Sequence, residues 1–198
     1  MLLYAFITHQ AHLSQTLARV APMMESRGLP YVVCCGGFER RDYDPSLRLL
    51  RLPCNDTYAG LPDKVFHLYQ AFLEDENFLR FTHLAKLDED MTLLQPIPGA
   101  LLPDYGGVIE RKPGSRCWHL GKCPGSPWND RLYEGPFVPW ALGGTGYILS
   151  KNACQAVVQT AQPSEEIYED VMVGKALRAQ GILPSWLPMR RFVVSPDH

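Results

Sequence analysis

The stretch Leu84 to Leu94, L-A-K-L-D-E-D-M-T-L-L, sets Asp88, Glu89 and Asp90 between two apolar runs. Carboxylates at i and i+2 are hard oxygen donors suited to a divalent ion, and such an ion can in turn hold a diphosphate. A solvated turn after a strand has the same composition, so the cluster carries both readings. Further acids, Glu165, Glu166, Glu169 and Asp170, stand after Pro163 at the start of a helical stretch that runs to Gln180. Acids in a first helical turn offset the helix dipole, which accounts for them without any chemistry. Between the two acid groups lies A-L-G-G-T-G-Y-I-L-S, Ala141 to Ser150, where Gly143, Gly144 and Gly146 let backbone approach a ligand or another strand closely. Cys117, His119 and Cys123 are potential zinc ligands, but they lack paired C-x-x-C spacing and a clear fourth donor.

For the first acids to sit at a ligand crevice, they must end a strand of an open α/β sheet. The order of apolar runs allows this. Leu2 to Thr8 reads as a strand, and His9 to Arg27, with Leu13, Leu17, Val20, Met23 and Met24 at helical spacing, as a helix stopped by Gly28. Tyr31 to Cys35 completes a β-α-β unit. Leu47 to Leu52 predicts a short strand, Val65 to Phe78 a helix, and His83 to Leu87 the strand that delivers Asp88 to Asp90. Val108 and Ile109 mark a further short strand, Tyr147 to Leu149 another, Lys151 to Thr160 a helix, and Arg190 to Val194 a last strand. Arg111 to Trp140 is long, irregular and aromatic, holding Trp118, Trp128, Tyr133, Phe137 and Trp140. Such a loop is either functional or held to the core by its rings, and the aromatic content argues against disorder.

At 198 residues with 46% hydrophobic and 20% charged, the chain has the composition of one globular domain. A formal net charge of −2 supplies no global field for nucleic acid. The start M-L-L-Y-A-F-I-T-H-Q lacks a basic n-region and a long apolar run, so neither a signal peptide nor a membrane span is expected. That pattern gives the expectation of a soluble, cytoplasmic protein of bacterial or viral origin. The six scattered cysteines are expected to be mostly reduced, partly buried thiols.

Three segments then fall in a recognisable order: N-D-T-Y-A-G-L-P-D-K at Asn55 to Lys64, K-L-D-E-D-M at Lys86 to Met91, and G-T-G-Y-I-L-S followed by E-D-V-M-V-G at Gly144 to Gly174. Together they resemble the β-1,3-galactosyltransferase family, whose relatives include the fringe-type N-acetylglucosaminyltransferases. Members show D-x-Y-x-N-L-x-x-K, K-x-D-D-D, G-x-G-Y-x-x-S and E-D-V-x-x-G in this order. The resemblance covers roughly Leu47 to Leu177, and the combination is more specific than any part. Glu89 replaces the middle acid, Gly60 stands where the family has asparagine, and the N-terminal third lacks the arginine and tryptophan pattern of animal members.

The resemblance implies a GT-A, nucleotide-diphospho-sugar transferase fold over residues 1–198: a single α/β domain with a Rossmann-like, mostly parallel sheet flanked by helices. It also implies an inverting, Mn²⁺-dependent transfer of a hexose or N-acetylhexosamine from a UDP-sugar to a hydroxyl of a glycan or other acceptor, with a β-1,3 linkage. By matching motif, Asp88 and Asp90 become the D-x-D pair, Asp90 on the metal and Asp88 on the metal or the ribose, with Glu89 between them. Lys86 steadies that site, and Lys64 closes the first motif at the donor side. Asp170 becomes the general base, with Glu169 beside it, while Gly144, Thr145, Gly146 and Tyr147 line the donor sugar. His198, after the last strand, becomes a further metal ligand. Two other readings remain open: a sugar- or nucleotide-binding module of the same fold without turnover, and a retaining transferase or sugar-nucleotide hydrolase.

Overall fold

The computed structural model describes residues 1–111 and 116–195. Strand β1 (Leu2–Thr8) passes through a 3-10 turn, Gln10–His12, into helix α1 (Leu13–Glu25). Strand β2 (Tyr31–Cys35) returns parallel to β1, with Tyr4 opposite Tyr31 and Thr8 opposite Cys35, completing the β-α-β unit that the sequence predicts. A hairpin of β3 (Asp42–Asp44) and β4 (Leu49–Arg51) follows. The predicted strand from Leu47 is shortened because Arg48 takes a left-handed φ of 53° and ends the turn there.

Helix α2 (Leu61–Glu74) starts earlier than the predicted Val65, since Pro62 sits in the first turn, where its fixed φ suits a helix and its missing N–H has no partner to lose. Strand β5 (His83–Asp88) lies parallel to β1, with Leu2 opposite His83 and Ile7 opposite Asp88. Then come β6 (Thr92–Leu93), β7 (Tyr105–Gly107), β8 (Ile109–Glu110), β9 (Trp140–Ala141), β10 (Tyr147–Ser150), α3 (Lys151–Thr160), α4 (Glu169–Ala179), β11 (Ser185–Trp186) and β12 (Val193–Val194). Two strands thus flank Val108 where one was predicted, and the predicted Arg190–Val194 strand is a 3-10 turn at Met189–Arg191 followed by β12 alone. Helix α4 begins at Glu169, not Glu165. The buried Glu166 carboxylate turns aside to Lys175 Nζ at 2.5 Å and the Tyr133 hydroxyl at 2.8 Å, holding the backbone extended before the helix.

Eight strands form one sheet in the order β11-β7-β10-β5-β1-β2-β4-β3. The centre, β5-β1-β2-β4, is parallel; β10 runs against it between β5 and β7, and β3 runs against β4 at the edge. The architecture is therefore mixed α/β with a large, mostly parallel central sheet flanked by helices. Because both faces are covered, β1 reads as a continuous apolar run rather than an alternating one. Leu3, Ala5 and Ile7 face α2, α3 and α4, while Tyr4 and Phe6 face Val20 and Met24 of α1. Each such large apolar side chain contributes roughly 1.5–3 kcal/mol on burial. All six cysteines are free thiols, five of them buried. Among the described residues, no helix is long and apolar enough to cross a membrane.

Candidate functional site

The chain leaves β1 for β2 through α1, and leaves β4 for β5 through α2, which places β2 and β5 on opposite sides of β1. The order reverses there, and the crevice outside the carboxyl ends of β1 and β5 is where such sheets take ligands. A cavity of about 550 Å³ opens at that point, lined by Thr8 and His9 after β1, Asp56, Tyr58 and Lys64 before and in α2, and Asp88, Glu89 and Asp90 after β5. Four carboxylates thus face one lysine, a balance that attracts cations.

The acid turn itself closes with Met91 N–H donating to the Asp88 carbonyl at 3.1 Å, and Arg19 of α1 caps it by donating to the Met91 carbonyl at 2.7 Å. The three acids then go separate ways. Asp88 Oδ1 meets Lys86 Nζ at 2.5 Å. Partial burial, with Glu169 and Asp90 nearby, pushes the Asp88 carboxyl above its ordinary value despite that lysine. Asp90 is exposed, and its Oδ2 accepts from Ser195 Oγ at 3.1 Å. Glu89 turns toward α1, where Thr8 Oγ1 donates to its Oε2 and His12 Nδ1 lies 2.5 Å from its Oε1. Burial raises the Glu89 pKa, but those hydrogen bonds and the neighbouring His9 and His12 outweigh it and hold the group low.

Lys86 is almost wholly buried, and its ammonium also lies 2.7 Å from Glu169 Oε1. Two acid groups about eighty residues apart in the chain therefore share one cation. Burial opposes the Lys86 charge, and the two carboxylates outweigh it, holding its pKa up. Glu169 Oε2 accepts from the Asp170 N–H at 2.7 Å. A Cβ on Gly143 would come within 2.4 Å of Glu169 Oε1, so any larger residue there forces that carboxylate to shift from its place beside Lys86. Asp170 is buried, with Oδ2 accepting from Gly143 N–H at 2.9 Å and Trp140 Nε1–H at 3.1 Å, and Oδ1 from Val171 N–H at 2.8 Å. Burial, then the Glu169 carboxylate, push its pKa up to about 7, against the Gly143 and Val171 N–H groups and Lys86.

The G-T-G-Y segment divides. Gly144 and Thr145 line a second cavity of about 220 Å³ with Met91, Arg190 and Val193. Gly146, at φ 73°, packs so closely under Leu87 that a Cβ would approach Cδ2 within 2.6 Å. Tyr147, predicted to line the donor sugar, points into the core instead: its hydroxyl pairs with the buried Tyr69 hydroxyl at 2.7 Å, and its neighbours are core residues. Lys64 does line the large cavity, but its charge is already paired, with Asp56 Oδ1 at 2.6 Å and the Thr8 carbonyl at 2.8 Å. Asp56 binds Gly36 N–H and Gln10 N–H as well, tying the ends of β1 and β2 to α2. His198 lies outside the described residues.

Among the described residues, the set of three or more donors close enough for one metal ion is His9, His12 and Glu89. Neither histidine was singled out by spacing, because both fall in what reads as the start of a helix. The Cys117, His119 and Cys123 group does not offer a zinc site. His119 is fully buried with Nε2 on the Arg131 carbonyl at 2.8 Å and Nδ1 on the Tyr168 hydroxyl at 2.5 Å, so neither ring nitrogen is free for a metal. The aromatic loop is anchored to the core: Tyr133, Phe137 and Trp140 surround the buried Arg116, and Trp128 stacks on Tyr133. Trp118 alone among its tryptophans is mostly exposed, edge-on to Tyr168. No protein-family model matches this chain, and neither does any curated protein.

Proposed function

We propose that this protein is a metal-dependent glycosyltransferase of the GT-A type that moves a sugar from a UDP-sugar to an acceptor hydroxyl with inversion. One observation carries the reading: Lys86 joins the Asp88 to Asp90 turn to the Glu169–Asp170 pair beside an acid-lined cavity at the sheet's switch point. The resemblance of the four motifs supplies the chemistry, and the reading draws on Asp88, Asp90 and the Glu169–Asp170 pair lying around Lys86, not on Tyr147, which faces the core. Asp88 and Asp90 each have one carboxylate oxygen without a protein hydrogen bond among the described residues, a donor set that suits Mn²⁺ or Mg²⁺. When bound by Asp88 and Asp90, such an ion would supply neutralisation of the charge that builds on a departing diphosphate.

The protein's own groups have separable tasks. Lys86 holds Asp88 and Glu169 in place and offsets their mutual repulsion. Gly144 and Thr145, with Met91 and Ser195, line the 220 Å³ cavity in which a donor sugar would rest, and Ser195 Oγ donates to Asp90. Asp170, with its pKa near neutrality, takes a proton from the acceptor hydroxyl more readily than an ordinary carboxylate, because basicity rises with pKa. Among the described residues its Oδ1 has a single hydrogen bond, from Val171 N–H, and so retains a lone pair for that proton.

A second reading, a sugar- or nucleotide-binding module without turnover, draws on the fact that three N–H groups already bind Asp170. UDP release from a panel of UDP-sugars with Mn²⁺ and hydroxyl acceptors separates the two. The transferase reading requires acceptor-dependent release that needs a higher Mn²⁺ concentration in Asp90→Asn; donor binding with no release across the panel supports the module.

A further inference from the structure

Beside the Asp88 and Asp90 pair, the crevice holds a second cluster of donor side chains. We propose that His9, His12 and Glu89 form a separate site for a divalent transition metal of the Zn²⁺ class. The 3-10 turn Gln10–His12 begins with His9 as its cap, and His12 N–H donates back to the His9 carbonyl at 2.9 Å. In a 3-10 turn, side chains at i and i+3 eclipse. The two imidazoles consequently lie on one side, ring centroids 4.1 Å apart. Glu89, after β5, presents Oε1 to both: 2.5 Å from His12 Nδ1 and 3.6 Å from His9 Nε2. All three donor atoms lie within 4.8 Å of one another.

The second observation is how Glu89 is held. Its Oε2 is bound by Thr8 Oγ1 and faces Thr16 Oγ1 at 3.4 Å, and these two hydroxyls contact each other at 2.9 Å in the buried space between β1 and α1. That fixes the carboxylate so that Oε1 alone is turned to the imidazoles, the outer-shell support that metal-binding carboxylates use. Tetrahedral bonds of about 2.0–2.1 Å put donors about 3.3 Å apart, so a metal opens the 2.5 Å His12–Glu89 contact by less than an ångström and draws the His9 ring in, its Nε2 now 3.6 Å from Glu89 Oε1. Two imidazoles with one carboxylate suit Zn²⁺, Co²⁺ or Ni²⁺ better than Mg²⁺ or Ca²⁺. Three protein ligands leave a fourth position open. His9 and Glu89 line the 550 Å³ cavity, so that position is available to a water or to an oxygen of whatever the cavity takes. The site stands independently of the transferase reading.

The test uses the metal-free full chain titrated with Zn²⁺ by calorimetry, with Co²⁺ as a spectroscopic substitute. The expected result is one Zn²⁺ per chain and a tetrahedral Co²⁺ spectrum without thiolate charge transfer. Affinity should drop about a hundredfold in His9→Ala and in His12→Ala, drop about tenfold in Thr8→Val, and stay unchanged in Asp90→Asn. His9→Gln, a milder change at a half-buried ring, serves if an alanine variant fails to fold. The proposal is overturned by the absence of stoichiometric Zn²⁺, by thiolate bands, by equal affinity in the histidine variants, or by loss confined to Asp90→Asn. Loss of sugar transfer with these results intact would remove the transferase reading and leave the metal site standing.

Discussion

The acids after β5 and the acids at the start of α4 are the same chemical groups in opposite surroundings. Asp88, Glu89 and Asp90 sit on a turn at a cavity wall, with cations and hydroxyls around them and partial access to water. Glu169 and Asp170 lie under the Gly143 turn and face N–H groups and one buried ammonium. In the first place the open cavity leaves carboxylate oxygens free to hold a cation. In the second, burial and the neighbouring charge favour a carboxylate that exchanges a proton near neutral pH. Lys86 is where the two meet, and its removal should erase the difference between them.

Lys86→Met should therefore have the largest effect. It leaves Glu169 buried without its cation, and breaking such a pair costs about 3–5 kcal/mol. Urea unfolding followed by circular dichroism measures it; a loss under about 1 kcal/mol would mean that the two acid groups are not coupled through this lysine. Gly143→Ala comes next. The added methyl meets Glu169 Oε1, and overpacking of this kind costs about 1–3 kcal/mol. An unaltered melting temperature in that variant would show that the carboxylate is not confined as described.

The pH dependence sharpens the comparison further. A carboxyl raised to about 7 from 3.8 binds its proton more tightly in the folded than in the unfolded chain. Its contribution to stability is greatest at low pH and falls as pH rises through that window, levelling above about 7. Unfolding of wild type and Asp170→Asn across pH 4–8 should converge on a flatter curve in the variant; parallel curves would place the ionisation elsewhere. Asp90→Asn should have the smallest effect on stability, within about 0.5 kcal/mol, because the side chain is exposed.

The central strands, the β-α-β start and the position of Asp88 to Asp90 at the end of β5 were legible in the sequence because buried parallel strands are uniformly apolar and their ends are abrupt. The start of α4 was not, since Glu166 is drawn off the helix by Lys175 and Tyr133, residues that no local pattern links to it. Tyr147 was assigned to the donor pocket on its motif, but the alternation of β10 turns it to the Tyr69 side of the sheet. Among the site residues, Glu89 gave the clearest lesson. It turns away from its neighbours to His9 and His12, which are close only because β1 pairs with β5. That proximity is set by tertiary pairing, beyond the reach of spacing along the chain.

The most direct test of the division of labour between the two acid groups is steady-state UDP-sugar transfer titrated with Mn²⁺ for wild type, Asp90→Asn and Asp170→Asn. Asp90→Asn is expected to raise the Mn²⁺ concentration needed for half-maximal rate. Asp170→Asn is expected to lower kcat by about 10²–10⁴-fold with the Mn²⁺ requirement unchanged. Full activity in Asp170→Asn, or an unshifted Mn²⁺ titration in Asp90→Asn, would contradict the account.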